Sequence, residues 1–321
     1  MAINTRSIAM TTMKAVRIHS YGGPEVLHHE DAPRPVLNVD DVLIKVHAAG
    51  VNPVDWKIRQ GYMKDSLTLP LIPGWDVAGV IEEKGPEVMS LEIGDSVYAR
   101  PSLFRNGAYA EYIAVKASEV ALKPETLDYI QAAAVPLAGL TAWQSLFDLA
   151  HLKAGQEILI HAAAGGVGHF AVQFAKWAGA HVIVTASARN HEFLKSIGAH
   201  ETIDYTTTAF EEAVHDADVV LETMGGEVWQ RSWKVLKKGG IMVSTLRGPE
   251  AGGMDALNKL CAHVFVQPDA LQLGEIAVLI DSGNVRPEIA KVFPLQEADQ
   301  AHRASESGHT RGKIVLEVTG G

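Results

Sequence analysis

The stretch with the clearest chemical capacity runs Glu157-Ile158-Leu159-Ile160-His161-Ala162-Ala163-Ala164-Gly165-Gly166-Val167-Gly168. A short apolar run gives way to alanines and glycines, and a helical pattern begins at once, from His169 to Ala178. Strand, Gly-rich turn and helix, in that order, form the unit that seats a nucleotide pyrophosphate. Glycine lets the backbone approach a phosphate with no Cβ between, while the helix N-terminus supplies unpaired N–H groups and positive dipole charge. Ala164, Gly165, Gly166 and Val167 are the candidate contacts. The strict G-x-G-x-x-G is absent, because Ala163 stands where its first glycine falls. Taken alone, the stretch also fits a tight turn in another kind of α/β protein.

The residues that follow narrow the choice. A site for NAD places Asp or Glu about 20 residues beyond the glycines, on the ribose 2′-OH. Here the next strand ends in Thr185-Ala186-Ser187-Ala188-Arg189, with Ser187 19 residues after Gly168 and no carboxylate among the five. A hydroxyl and a guanidinium suit a 2′-phosphate, since Arg combines a permanent charge with a planar fork of donors. NADPH is therefore favoured, although Arg189 would also suit a surface charge at a helix start.

These groups need a scaffold, and the chain supplies two textures. From Met13 to about Val120, short strands are broken by Gly and Pro: Lys14 to Ile18, Val42 to His47, Val77 to Glu82, Ser96 to Ala99 and Ala108 to Val115. Regular short strands with few helices indicate a partly open barrel or a sandwich. Ile130 to Leu149 reads as a connecting helix pair interrupted at Pro136 and Gly139. From Glu157 to about Gly283, strands alternate with helices, the rhythm of a doubly wound parallel sheet. Its strands are expected at Ile158 to His161, His181 to Ala186, Glu201 to Ile203, Asp218 to Glu222, Ile241 to Ser244 and His263 to Val266, with helices such as Asn190 to Ile197 and Glu227 to Leu236. Beyond Asn284 the alternation ends, and Gly312 to Val318 reads as a strand returning to the first domain. The expected division is 1–12 as a loose extension, 13–138 with 284–321 as the barrel domain, and 139–283 as the nucleotide domain.

Composition excludes several classes of function. The net charge of −10, from 28 Lys and Arg against 38 Asp and Glu, repels nucleic acid and anionic membrane. A single cysteine, Cys261, leaves no intrachain disulfide and suits a reducing cytoplasm. No apolar run approaches the roughly 18 residues that a membrane span requires. Adjacent His28 and His29 fit solvated side chains better than a metal site, and Cys261 fits a small buried apolar residue.

Met13-Lys14-Ala15, Tyr21-Gly22-Gly23-Pro24-Glu25-Val26-Leu27, Gly50-Val51-Asn52-Pro53-Val54-Asp55, Pro73-Gly74-Trp75-Asp76-Val77-Ala78-Gly79, Gly107-Ala108-Tyr109-Ala110-Glu111-Tyr112, Leu140-Thr141-Ala142-Trp143, Ile203-Asp204-Tyr205 and Gly312-Lys313-Ile314-Val315-Leu316 occur in one order, with the glycine turn between. Together they resemble the zinc-free branch of the medium-chain dehydrogenase/reductase superfamily, of quinone oxidoreductase type, almost end to end. The resemblance implies an α/β architecture: a Rossmann doubly wound parallel sheet plus an N-terminal GroES-like, partly open β-barrel. It also implies a homodimer, often formed edge to edge between nucleotide sheets. Zinc-dependent relatives carry a cysteine where this chain has Asn52, and Gly-His-Glu where it has Gly74-Trp75-Asp76. Without those ligands, an electron-poor acceptor such as a quinone or an α,β-unsaturated carbonyl is the expected substrate.

Further roles follow from the resemblance residue by residue. Asn52, Thr141 and the backbone of Phe265, Val266 and Gln267 are expected at the nicotinamide end. Thr223 to Gly225 and Leu246-Arg247 are expected along the cofactor, Tyr205 near its adenosine end, and Lys313 as a weaker contact. Asn52 is the expected polar contact to substrate, with Asp55 as its structural partner. Tyr62 is a shifted candidate: in Arg59-Gln60-Gly61-Tyr62-Met63 the tyrosine falls one position early for the pattern in relatives, with Met63 in its place. Trp56 and Trp75 are expected as core or pocket wall. The expected activity is NADPH-dependent reduction of a quinone. The alternatives are reduction of an alkenal or enone C=C bond and a low-turnover NADPH-binding sensor.

Overall fold

The computed structural model describes residues 11–246 and 259–319. Three sheets organise the chain. The first is the hairpin β1 (Thr12–Ile18) and β2 (Leu27–Pro33). The second contains β3 (Asp41–Val51), β4 (Val77–Lys84), β5 (Ser96–Ala99), β6 (Tyr112–Lys116) and β7 (Val120–Leu122). The third is a parallel sheet of β8 (Glu157–Ile160), β9 (His181–Ala186), β10 (Glu201–Asp204), β11 (Ala217–Glu222), β12 (Leu236–Ser244) and β13 (Leu260–His263). The chain then returns to the second sheet through β14 (Ile289–Pro294) and β15 (Lys313–Glu317).

The parallel sheet runs β10-β9-β8-β11-β12-β13. Its order reverses between β8 and β11, which opens a crevice at the carboxyl ends of those strands. Ile158, Leu159 and Ile160 are wholly buried, as expected of a strand covered on both faces. One face packs against α3 (Pro136–Trp143), α4 (Gly168–Trp177) and α8 (Ala270–Asp281). The other packs Leu159, Ile183 and Val220 against Phe210 and Trp229, from α6 (Phe210–Ala213) and α7 (Gly226–Val235). Four short helices complete the described set: α1 (Pro53–Arg59), α2 (Tyr129–Ala133), α5 (His191–Ile197) and α9 (Ala298–Glu306).

Strand β3 is the pivot of the second sheet. It pairs antiparallel with β4, β6 and β15, so residues distant in sequence converge on its C-terminal end. In the β15 pairing Ile314 faces Val51, a register that sets Lys313 beside Asn52.

Several elements differ from expectation. The strand expected at Ala108–Val115 starts at Tyr112, because Ala108–Ala110 is diverted to hydrogen-bond with Gly74 and Val16. Pro136 does end one helix and begin another, having no N–H to give, but α3 continues through Gly139 and widens into a π-turn at Gln144–Leu149. The strand expected at His263–Val266 lies earlier, at Leu260–His263, so Phe265 to Gln267 form a loop at the sheet's carboxyl edge. The alternation does not end at Asn284: β14, α9 and β15 form a further parallel β-α-β unit. Thr12, assigned to the loose extension, pairs with Pro33.

Candidate active site

At the end of β8 the chain turns sharply, with Ala162 at φ 48°. Gly165 N–H donates to Ala162 O at 2.9 Å, closing the turn. A Cβ on Gly168 would stand 2.5 Å from Ala162 O and 2.6 Å from Ala163 Cα, so only glycine lets α4 start so close to the strand. The amides of Gly166 and Val167 have no hydrogen-bond partner among the described residues. A half-buried turn with free N–H groups opening a helix has the shape and polarity that fit a pyrophosphate. His169 braces the turn: its Nδ1–H donates to Gly165 O at 2.9 Å and its Nε2 accepts from Glu288 N at 3.2 Å. With both ring nitrogens committed to the neutral form, burial lowers its pKa to about 4.

Parallel pairing carries the other candidates to the same crevice. Ser187 follows β9, which lies beside β8 on one side; Thr223 follows β11 on the other. Arg189 is exposed and donates to His309 O at 3.3 Å, in the segment whose Gly312 N–H donates to Ala164 O at 2.8 Å. Tyr205 is exposed beyond β10, and Leu246 N–H donates to Ser244 Oγ at 3.1 Å beyond β12. Arg247 lies outside the described residues. Thr141 is buried in α3, where its hydroxyl donates to Leu137 O at 2.6 Å.

Two residues that sequence reasoning missed hold the loops of this crevice. Glu222, fully buried, accepts from Met224 N at 2.6 Å, Gly225 N at 2.5 Å and Ser244 Oγ at 2.9 Å, fixing the turn after β11. Gln144 grips the backbone of Gln267 twice, Nε2–H to the carbonyl and Oε1 from the N–H, both at 2.9 Å, and so fixes the segment from Phe265.

The second half of the site is a buried polar cluster. Asn52 is 2% exposed, Asp55 and Asp76 are inaccessible, and Lys313 is 3% exposed. Asn52 Nδ2 donates to Asp76 Oδ2 at 2.8 Å. The Lys313 ammonium donates to Asn52 Oδ1, to Asp76 Oδ2 at 3.2 Å and to Val51 O at 3.3 Å. Asp76 Oδ1 accepts from Leu137 N at 2.6 Å. Burial raises the Asp76 carboxyl, and the Lys313 cation opposes that rise. Accepting three hydrogen bonds on its two oxygens suits its ionised form.

Asp55 stands behind Asn52. Its Oδ2 accepts from Asn52 N at 2.7 Å and from Tyr109 OH at 3.0 Å, while Oδ1 is buried without a partner. Burial, with the Asp76 charge adding to it, raises its pKa to about 7. Behind Tyr109 the bonds have one direction. Arg59 has only donors, so its Nη1–H goes to His302 Nδ1 at 3.3 Å; His302 Nε2–H then goes to Tyr109 Oη at 3.2 Å, and Tyr109 donates to Asp55. Burial lowers the His302 pKa to about 3. Tyr62 does not join this cluster: it is 56% exposed, and Met63 instead packs against the core group of Trp75 and Ile58. Trp75 is buried and donates to Arg105 O at 3.2 Å. Cys261 is buried on the α6–α7 face of the parallel sheet.

The sequence marked Asn52 and, more weakly, Lys313; Asp76 appeared only as a departure from the zinc pattern. Nothing local in the sequence signals that Tyr109 and His302 stand behind Asp55. Among the described residues no group of three or more His, Cys, Asp or Glu could hold a metal ion. Nor does any described helix have the length and apolarity to cross a membrane.

Comparison with known proteins agrees with this fold. Residues 38–125 match the model of the alcohol dehydrogenase GroES-like domain, and residues 197–316 that of a zinc-binding dehydrogenase. The chain is 36% identical to a chloroplast envelope quinone oxidoreductase homolog of Arabidopsis thaliana, over 95% of this chain and 98% of that one. It is 37% identical to an NADPH-dependent alkenal/one oxidoreductase of the same plant, over 95% and 79%. The solved quinone oxidoreductase of Coxiella burnetii superposes with a TM-score of 0.89 at 37% identity, covering 96% of this chain and all of that one.

Proposed function

The chain belongs to the quinone oxidoreductase family of the medium-chain dehydrogenase/reductase superfamily, and from that membership we propose that it is an NADPH-dependent reductase of quinones. It is an oxidoreductase that uses a nicotinamide cofactor. The observation that carries the choice of acceptor is the Asn52–Asp76–Lys313 cluster. It joins an amide and an ammonium to a carboxylate whose two oxygens already accept hydrogen bonds from Asn52, Lys313 and Leu137, so it offers an N–H rather than a set of metal ligands. Such a site suits an acceptor already poor in electrons.

When bound, the nicotinamide supplies a hydride to the acceptor, which becomes hydroquinone on taking one proton from water. The protein's part is placement and charge. Gly166 and Val167 amides would hold the pyrophosphate, and the Gln144-clamped Phe265–Gln267 segment and Thr141 the nicotinamide end. Asn52 would donate to the acceptor oxygen as charge collects there. Ser187 and Arg189 would receive the 2′-phosphate, with Tyr205 beside them. Thr223 and Leu246 would line the path between. Asp55 fixes the Asn52 backbone, and Tyr62 is left as an exposed residue with no part in the cluster.

The likeness to an alkenal/one oxidoreductase favours a second reading, reduction of an enone C=C bond in the same site. That product needs a proton at carbon, which water must supply. A screen of quinones and enones against purified protein, following loss of NADPH absorbance, tests both. Faster oxidation of NADPH than of NADH with a quinone is the expected result. Equal rates would overturn the cofactor choice, and tight NADPH binding with no turnover would overturn the reductase reading in favour of a sensor. The same proposal includes a cytoplasmic homodimer formed along β13, the end strand of the parallel sheet. Sedimentation at a monomer mass would overturn that part.

A further inference from the structure

We propose that Lys313 and Asp76 are positioning residues that lock the Asn52 carboxamide in one orientation and reserve a single N–H for the acceptor oxygen. The inference rests on the reductase reading above. A carboxamide can turn end for end, exchanging C=O and NH₂ with almost no change of shape, so an asparagine by itself does not define a donor. Here charge specifies both ends. Lys313 has only donors, and its three N–H groups meet three acceptors: Val51 O, Asn52 Oδ1 and Asp76 Oδ2. It therefore has no spare hydrogen for substrate. Asp76 Oδ2 takes one Asn52 amide hydrogen at 2.8 Å, and the other meets no protein acceptor among the described residues. Turning the amide over would set NH₂ against an ammonium and C=O against a carboxylate. In a site where all three residues are at most 3% exposed, both contacts are repulsive and poorly screened.

The lock is built from three separated parts of the fold. Asn52 lies between β3 and α1, Asp76 immediately before β4, and Lys313 opens β15. Gly50 makes room for it: a Cβ there would stand 2.4 Å from Ala133 O and 2.7 Å from Asp76 Oδ2. The Lys313 stem passes the phosphate turn, with its Cδ 3.2 Å from where a Cβ on Gly166 would lie. One side chain thus spans from the turn to Asn52. A donor held in place beforehand stabilises charge on the acceptor oxygen without reorganising as the hydride arrives.

The test combines NMR of asparagine-labelled, cofactor-free protein with steady-state kinetics. The Asn52 amide signals are assigned by their loss in Asn52→Ala. In the native chain its two amide hydrogens are expected to be well separated and slow to exchange. In the charge-neutral pair K313M/D76N they are expected to exchange rapidly, while kcat falls about 10²–10³-fold. The Kd for NADPH, read by tryptophan fluorescence, is expected to stay the same because Met keeps the stem beside Gly166. Lys313→Arg, which keeps the cation, is expected to recover most of kcat. Unchanged amide exchange, or unchanged kcat, in the folded double variant would overturn the lock. Where that variant does not fold, the isosteric Asp76→Asn carries the same two readouts. A native chain that reduces no acceptor defeats the reductase reading alone, since the NMR arm still decides whether Asn52 is locked.

Discussion

The glycine turn and the polar cluster face each other across Lys313, and they are made of opposite materials. The turn is backbone: free amides, small residues and a glycine that admits no Cβ, all within a dozen consecutive positions. The cluster is side chain: two carboxylates, an amide and an ammonium drawn from positions 52, 55, 76 and 313 and sealed from water. A backbone site loses function when something is added to it. A buried ionic site loses function when anything is removed, because the partner left behind is a charge without compensation. The two halves should therefore fail in different ways.

Acid should separate them most strongly. His161 and His169 lie in the nucleotide unit, buried and neutral, with pKa values lowered from 6.5 to about 4. The unfolded chain takes up protons near pH 6.5 that these folded rings refuse. Stability should fall as the pH drops from about 6.5 towards about 4, by up to about 1.4 kcal/mol per pH unit for each ring. His302 adds the same loss in the other unit. There Asp55 offsets part of it, since its pKa is raised from 3.8 to about 7 and protonation in that window favours the folded state. Hydrogen exchange at pH 7 and pH 5 is expected to show the strands around β8 losing protection before those around β3. The reverse order would break the comparison.

At the polar side, Asn52→Ala should lower kcat about 10²–10³-fold, the usual cost of one donor to a developing oxyanion. Its KM for NADPH should be unchanged in initial-rate measurements. At the turn side, Arg189→Ala should weaken NADPH by roughly 1.5–3 kcal/mol, one to two decades in Kd, as loss of a charged hydrogen bond does. NADH binding should be untouched, so equal losses for both cofactors would remove Arg189 from the 2′-phosphate site. The smallest free-energy costs come from two of the crowded glycines. Gly168→Ala and Gly50→Ala should each cost about 1–3 kcal/mol by overpacking. Gly168→Ala is expected to lose cofactor binding, whereas Gly50→Ala should keep it and lose turnover, as read by fluorescence titration beside the acceptor assay.

The elements around these sites were unevenly legible. The strand and turn at 157–168 announce themselves because an apolar run, glycines and a helical pattern are adjacent in sequence. The edge strand and the loop after it were misplaced by about three residues, since Leu260 to Val266 offers no glycine or proline to mark the change. The β-α-β unit near the C-terminus was missed for a related reason. Lys291 interrupts the apolar residues of β14 and Pro294 closes them after six positions, so no long apolar run marks the strand.

The sequence by itself determined the nucleotide-binding sheet, its glycine turn, the absence of an acid after β9, and Asn52 in place of a metal-binding cysteine. The first three are short-range properties, carried by backbone preferences and side-chain period over a few consecutive residues, and the last is read from the resemblance to zinc-dependent relatives. Only the tertiary structure decided that Asn52 has a fixed orientation. Lys313 reaches it across 261 positions because β15 pairs with β3 in one register, Ile314 opposite Val51, and a slip of one residue would turn the lysine to the other face. Such a register is set by the packing of the whole sheet, which no window of consecutive residues contains.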